Sequence, residues 1–546
     1  MLTFEQGRTF TLSLMITGLM VAACFSTAFA QEDDVDKNGD KLFYAELSQP
    51  MSFNPLYGMD DKISHRILTF LYNGLIKVNT DLEIVNDLAE SYETEWLADG
   101  REAITVILKP DIFFHDRSPL TADDVKFTYD AIQNPQNPTP LKAYLDKLDR
   151  VEAIDERTVR FVFKGRFPSN IYTLIYPILP THIFNDNTVI PMDAIMSQQD
   201  AMMMKKPVGT GPYSFMMNAG TTIMFNKNRE YKPRPAYITD IYLMIRADQE
   251  TMITEMETEA IDFLPNVPPF KVPRLRQNPS VDIHKYYTLN ITSIIFNNEN
   301  QFFEDARVRQ AFDFIVDKQH IIEVVFNGMA KKISGPFPPI SWANNPVIRP
   351  REKDLVQAKA LFKEAGYYKS EVEEILKKGE VPFYITILYE RGMNAHLEVL
   401  TIIQQDLEEM GVKVNIEALD KAILNKRVQY DHNFDMVIYD WEFDVDPDRF
   451  DLFHSSQSNP GGLNFGSYDN MDVDDLLREG RSSGNQDVRR RIYHDVHALI
   501  AEDVPHLFLY TQQYNAPVHY RILEANPNAI SVFSNIDDWY CDPKMR

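Results

Sequence analysis

The stretch from Phe383 to Leu419 constrains the fold more than any other part of this sequence. Phe383 to Tyr389 is an extended apolar run. Leu400, Ile403, Leu407 and Met410 then recur on one helix face, Gly411 ends that helix, and Val412 to Leu419 returns as a strand. Two strands joined by one helix favour parallel pairing with a right-handed crossover, which puts the chain in the α/β class. The same alternation recurs elsewhere. Ala103 to Leu108 reads as a strand, as does the run in which Val159, Phe161 and Phe163 alternate with Arg160, Val162 and Lys164. Between them Thr121-Ala122-Asp123-Asp124 opens a helix: Thr121 caps free N–H groups and the two acids complement the positive helix end. Val125, Tyr129 and Ile132 share its buried face, and Pro135 stops it. Another helix starts near Asp305, with Val308, Ala311, Phe312, Ile315 and Val316 inward and Arg307, Arg309 and Asp317 on its polar face. Phe434 to Tyr439 adds a further strand, so more than one sheet is expected, without internal repeats.

Size and charge narrow the function. At roughly 150 residues per domain, 546 residues suggest about three domains. The 80 acidic against 55 basic side chains give a net charge of −25, which repels phosphate backbones and excludes a general nucleic-acid binder. The 44% hydrophobic content is core material enough to exclude disorder. Only two cysteines, Cys24 and Cys541, are present, so there is no disulfide scaffold.

The first thirty residues read as an address. Arg8 precedes an apolar run from Thr9 to Ala23, and Ala28-Phe29-Ala30 supplies a small-x-small cleavage site, the pattern of a secretory signal peptide too short to span a membrane. A competing site, Val21-Ala22-Ala23-Cys24, looks like a bacterial lipobox in which Cys24 would carry lipid and tether the protein to the membrane surface. We place soluble export ahead of tethering. Residues 31–40 read as a flexible leader: Asp34 to Asp40 imitates half of a calcium loop, but the twelfth position is Ala45 and Glu46 comes one residue late.

Catalytic signatures are scarce. The sequence has no HExxH, GxSxG, Walker A or dinucleotide fingerprint. Gly209-Thr210-Gly211 runs into Pro212, which has no N–H for a phosphate, and reads as a rigid turn. His494 and His497 sit three apart on a helix without a third ligand and read as a solvated face, so no metal and no cofactor is expected. The richest cluster is Asp440-Trp441-Glu442-Phe443-Asp444-Val445-Asp446-Pro447-Asp448. Carboxylates alternating with aromatics at a strand end can hold a hard cation, supply a glycosidase acid/base pair, bind a ligand amine, or form a solvated loop.

An ordered series of short motifs runs through the chain: Ser52-Phe53-Asn54-Pro55; Phe114-His115-Asp116; Pro119-Leu120-Thr121-Ala122-Asp123-Asp124-Val125; Pro207-Val208-Gly209-Thr210-Gly211-Pro212-Tyr213; Asn228-Arg229-Glu230-Tyr231; Ile261-Asp262; Arg307-Val308-Arg309-Gln310-Ala311 with Asp317-Lys318, Gly328 and Pro336-Phe337-Pro338-Pro339; Ala365-Gly366-Tyr367; and Asn470 to Leu477. In that order they resemble the family 5 extracellular solute-binding proteins of bacterial ABC importers, the oligopeptide- and dipeptide-binding type. Arg117 and Glu259 stand where that family commonly has glycine.

The resemblance implies a periplasmic-binding-protein-like two-lobed α/β fold with a hinge and an extra third domain. Lobe I would comprise 41–58, 206–290 and 509–546, the extra domain 59–205, and the other lobe 291–508. It also implies an exported, monomeric binder that closes over a short peptide or similar amine-bearing solute and hands it to a membrane permease. Asp444, following Trp441, would pair with the ligand's amine, Tyr439 and Asp440 would flank it, and backbone groups near Ser48, Gln49, Asn297 and Asn298 would hold an extended ligand by strand-like pairing. The same fold serves binders of nickel complexes, haem, sugars and opines, and a sensor would differ only in partner. A secreted hydrolase using Asp440, Asp444, Asp446 or Asp448 is the enzymatic alternative.

Overall fold

Strands Tyr384–Glu390 and Lys413–Leu419 pair in parallel over their whole length, from Tyr384 opposite Lys413 to Glu390 opposite Leu419. The helix Asn394–Glu409 crosses between them and buries Val399, Leu400, Ile403 and Leu407. Gly411 closes the unit with φ of 89°, and a Cβ there would lie 2.7 Å from the Glu374 carbonyl oxygen, so the turn requires glycine. This is the parallel corner of a larger sheet in the computed structural model, which describes residues 36–59, 61–190, 207–369 and 374–545. The expected signal peptide, Cys24 and residues 31–35 of the leader lie outside the described residues. Residues 36–40 of that leader are pinned instead of loose: Gly39 N–H donates to the Tyr237 carbonyl, and Asp40 pairs with Arg521 at 2.9 Å.

The second-lobe sheet continues from Tyr384–Glu390 to Met436–Trp441, Ile291–Phe296 and then His506–His519, with Ala330–Lys332 added to the last strand. His506–His519 is long enough to serve both lobes. Its first part pairs with Ile291–Phe296 as far as Tyr510, opposite Thr292, and its second part pairs with Val281–Tyr287 from Gln513 onward. Through bridges at Phe263 it reaches the first-lobe sheet, in which Lys41–Glu46 lies beside Asp240–Ile245, Thr222–Lys227 and Tyr213–Asn218. The backbone therefore passes from the pairing of Val281–Tyr287 to that of Ile291–Phe296 at 288–290, and His506–His519 changes partner between the same two strands near 511–512.

A third sheet orders Ala89–Trp96, Glu102–Leu108, Thr158–Phe163 and Leu148–Ala153, all antiparallel. Its covering helix, Ala122–Gln133, starts as the sequence suggests: the Asp124 carboxylate accepts from the Thr121 N–H at 2.9 Å, and Val125, Tyr129 and Ile132 are buried. The strand Thr158–Phe163 departs from clean alternation, because Val162 is buried along with its neighbours. Core residues of this sheet, such as Val106 and Phe161, belong to the same hydrophobic cluster as Leu42 and Tyr44 of the first lobe.

Two side chains expected on solvent lie inside. Arg309, on the helix Ala306–Ile315, is buried and donates to the carbonyls of Phe303, Asp503 and Val504, closing two chain turns. His497 is fully buried on Gln486–Asp503, where its Nδ1 accepts from the Asn345 N–H at 3.0 Å and its Nε2 meets Ser334 Oγ at 3.1 Å. Burial pushes its pKa down to about 4.

The Pro207–Tyr213 motif acts as a clasp. Gly211 N–H donates to the Leu71 carbonyl at 2.9 Å, and His115 bonds both Gly209 N–H and Gly211 C=O. A Cβ on Gly209 would lie 2.0 Å from the Leu71 oxygen, and one on Gly211 2.3 Å from that of Phe70, so both glycines are required by close approach to the end of the helix Lys62–Leu71.

Candidate ligand-binding cleft

Trp441 is the last residue of its strand and stands opposite Ile291, the first strand residue after the 288–290 connection. The acidic loop therefore begins beside the 288–290 connection. Its first acid, Asp440, accepts from Thr292 Oγ1 at 2.6 Å and meets His396 Nε2 at 3.1 Å. Burial alone would raise its pKa, but the bonds from His396 and Thr292 outweigh that and hold it below the usual carboxylate value. Glu442 pairs with Lys62, at the start of the helix Lys62–Leu71, at 3.1 Å. Asp446 is buried and takes a two-pronged bond from Arg489 at 2.7 and 2.9 Å, while Asp448 pairs with Arg481 at 2.7 Å.

Asp444 differs from these four. Its side chain is exposed and has no hydrogen-bond or ion-pair partner among the described residues. Its pKa is raised, first because surrounding protein removes part of its water and then by the negative charge of Asp446, with Arg449 opposing. This suits a carboxylate lining a concave surface, crowded behind and open in front.

Aromatic rings support the loop. Trp441 lies between Phe443, 6.4 Å away and nearly parallel, and Phe465 at 5.7 Å, with Tyr439 4.8 Å from it. The buried Arg449 guanidinium stacks 3.6 Å over Phe443 and donates to the carbonyls of Asp446 and Asp448. Burial pushes its pKa down to about 10.

On the first-lobe side, Ser48 and Gln49 follow the strand Lys41–Glu46 and are exposed; Gln49 Nε2 donates to the Gly220 carbonyl at 2.8 Å. Glu46, at the end of that strand, pairs with Arg66 on the helix that also carries Lys62. Ser48 and Gln49 therefore leave the strand beside the helix that meets the acidic loop. Asn297 and Asn298 do not join them. They follow the far end of Ile291–Phe296, about 20 Å along the strand from Ile291. Their N–H groups donate to the carbonyls of Asp435 and Gly466, and their amides to those of Phe434 and Gly466. With these donors bonded inside the second lobe, the expected strand-like pairing from this pair has no free N–H to offer. Sequence reading missed Lys62, Arg481 and Arg489, because nothing local marks a cation whose partner lies 380, 33 or 43 residues away, and it missed Arg449, directly after Asp448.

The model of bacterial extracellular solute-binding proteins, family 5 Middle, matches residues 83–462. The chain belongs to this family. Among family 5 relatives, the oligopeptide-binding protein AppA of Bacillus subtilis is 28% identical over 518 residues, covering 92% of this chain and 93% of AppA. Its solved structure in complex with a nonapeptide superimposes with a TM-score of 0.68 at 27% identity, over 93% of this chain and 99% of that one. NikA from Brucella suis in complex with Fe(III)-EDTA gives a TM-score of 0.78, covering 92% of this chain and 99% of NikA, but at 21% identity that likeness is one of fold. Both departures from the family 5 glycines keep a glycine-like backbone: Arg117 has φ of 70° and Glu259 of 62°. Among the described residues no helix is long and apolar enough to cross a membrane.

Proposed function

We propose that this family 5 protein is the exported substrate-binding component of an ABC importer, capturing a short peptide or similar amine-bearing solute between its lobes and delivering it to the membrane permease. One observation carries the ligand class: of the five carboxylates from Asp440 to Asp448, only Asp444 lacks a protein partner among the described residues. An ammonium brought to it would form a short charge-assisted bond, strengthened as the lobes exclude water. The domain division carried by the family resemblance, with lobe I at 41–58, 206–290 and 509–546, the extra domain at 59–205 and the other lobe at 291–508, supplies the closing parts. The hinge strand favours closure by rotation about 288–290 and 511–512. We read the chain as a binder and not an enzyme. Carboxylate hydrolysis needs two carboxyls facing one bond, and in this loop one is free.

Native mass spectrometry of protein purified without denaturation should show retained mass matching di- to pentapeptides. Asp444→Asn should weaken binding of a free-amine peptide by about 1.5–3 kcal/mol, roughly ten- to a hundredfold, by isothermal titration. N-acetylation of the peptide should cost the wild type as much. Peptide affinity within about twofold of wild type in the variant would sink the amine role.

A further inference from the structure

Glu442 is the acid of the loop that bonds outside the core its loop belongs to. Its Oε1 takes two donors, Lys62 Nζ at 3.1 Å and Asn290 Nδ2 at 3.5 Å. The three residues come from three parts of the fold. Glu442 follows Trp441, which packs in the core that holds Ile291, Phe453 and Tyr493. Lys62 opens the helix Lys62–Leu71, whose Ile67, Leu68, Phe70 and Leu71 pack in a separate core with Leu42 and Tyr44. Asn290 lies in the connection 288–290, between the strands Val281–Tyr287 and Ile291–Phe296. One carboxylate oxygen therefore joins both cores beside that connection.

Nothing within the helix favours a lysine at its first position, since a cation there opposes the positive helix end. The Asp61 carboxylate that caps the helix is taken up by Ser64 and by the Met51 N–H. One turn further along the same face, Arg66 pairs with the buried Glu46 at 2.6 Å, which fixes the rotation of the helix and aims Lys62 at the loop. The neighbouring acids Asp446 and Asp448 pair instead on their own side of the fold, with Arg489 and Arg481. The Lys62 and Glu442 side chains are 68% and 64% exposed, so the pair contributes at most about a fivefold bias, weakened further by salt. A contact of that size does not hold a fold together. It does tip a balance between two arrangements of nearly equal free energy.

We propose that Lys62 and Glu442 form a latch between the two cores, made as they close over a ligand and lost as they open, which steadies the loop carrying Asp444 two residues away. The inference rests on reading the protein as a binder that closes by rotation about 288–290 and 511–512. Both side chains are positioning residues: they raise affinity by favouring the closed arrangement, without touching the ligand.

Small-angle X-ray scattering of unliganded protein reads the separation of the cores, and isothermal titration with Ala-Ala-Ala reads capture. Both are applied to wild type, Lys62→Glu, Glu442→Lys and the double variant, with circular dichroism confirming that each is folded. At an ionic strength of about 0.02 M, each single reversal sets like charges against each other; it should enlarge the radius of gyration and weaken peptide binding about three- to tenfold. The two reversals shift net charge in opposite directions, so an expansion common to both belongs to the pair. The double variant should return to the wild-type radius and to within about twofold of its affinity, and about 0.5 M salt should erase the differences. An unchanged radius in both single variants, or an expanded double variant, overturns the latch. If Ala-Ala-Ala neither binds nor compacts the wild type, the peptide-capture reading fails, and the scattering of the unliganded variants still decides the latch.

Discussion

Arg489 determines which carboxylates of the acidic loop stay available, because its bidentate grip on Asp446 takes that acid out of ligand chemistry and fixes the turn around Pro447. Both partners are less than a tenth exposed. Asp446→Asn leaves a buried guanidinium without its counter-charge, at a cost of about 3–5 kcal/mol, readable as a lower urea midpoint. Asp444→Asn should do the opposite in the absence of ligand. The folded-state pKa of Asp444 lies above its ordinary value, so its charge disfavours the empty folded protein at neutral pH, and removing it should leave the midpoint unchanged or higher. A matching loss in both variants would show that Asp444 is structural. The alternation of acids beside Trp441 was legible in the sequence. Which acids are neutralised was not, since Arg481 and Arg489 reach the loop only through the packing of two distant helices.

At the scale of elements, legibility followed locality. The helix Ala122–Gln133 carries its start, its buried stripe and its stop within one segment, and the unit Tyr384–Leu419 carries its own period and its glycine. His506–His519 carries no such signal: it is buried along nearly its whole length on both faces, so it shows no alternation. The expected lobe boundary at 508/509 falls inside this strand. His497 was misplaced for a related reason, because Ser334 and Asn345 lie far from it in the chain. The clasp at Pro207–Tyr213 makes a sharp expectation. Gly209→Ala must displace the end of the helix Lys62–Leu71, and should destabilise the protein by at least about 2 kcal/mol in chemical denaturation. A midpoint equal to wild type would show that the helix end yields freely.

Across the whole molecule, the buried His497 and His506 and the half-buried His115 tie stability to pH. Burial pushes the pKa of His115 and His497 down to about 4 and that of His506 to about 3, against 6.5 as the ordinary value. The fold favours the neutral form of each. Their contribution is therefore complete above about pH 6.5 and is lost as pH falls toward about 4, by up to roughly 1.4 kcal/mol per unit per histidine. Urea midpoints measured from about pH 7 to 4.5 should fall steadily, and a flat profile would mean that these sites open to water without cost. The strand His506–His519 has a further consequence, one of timing. A chain made from its N-terminus has neither sheet complete until residues 506–519 have emerged, because this strand is flanked on both sides in each. Most of the polypeptide must therefore wait without its organising strand, so the two sheets can only be completed together, at the C-terminal end of synthesis.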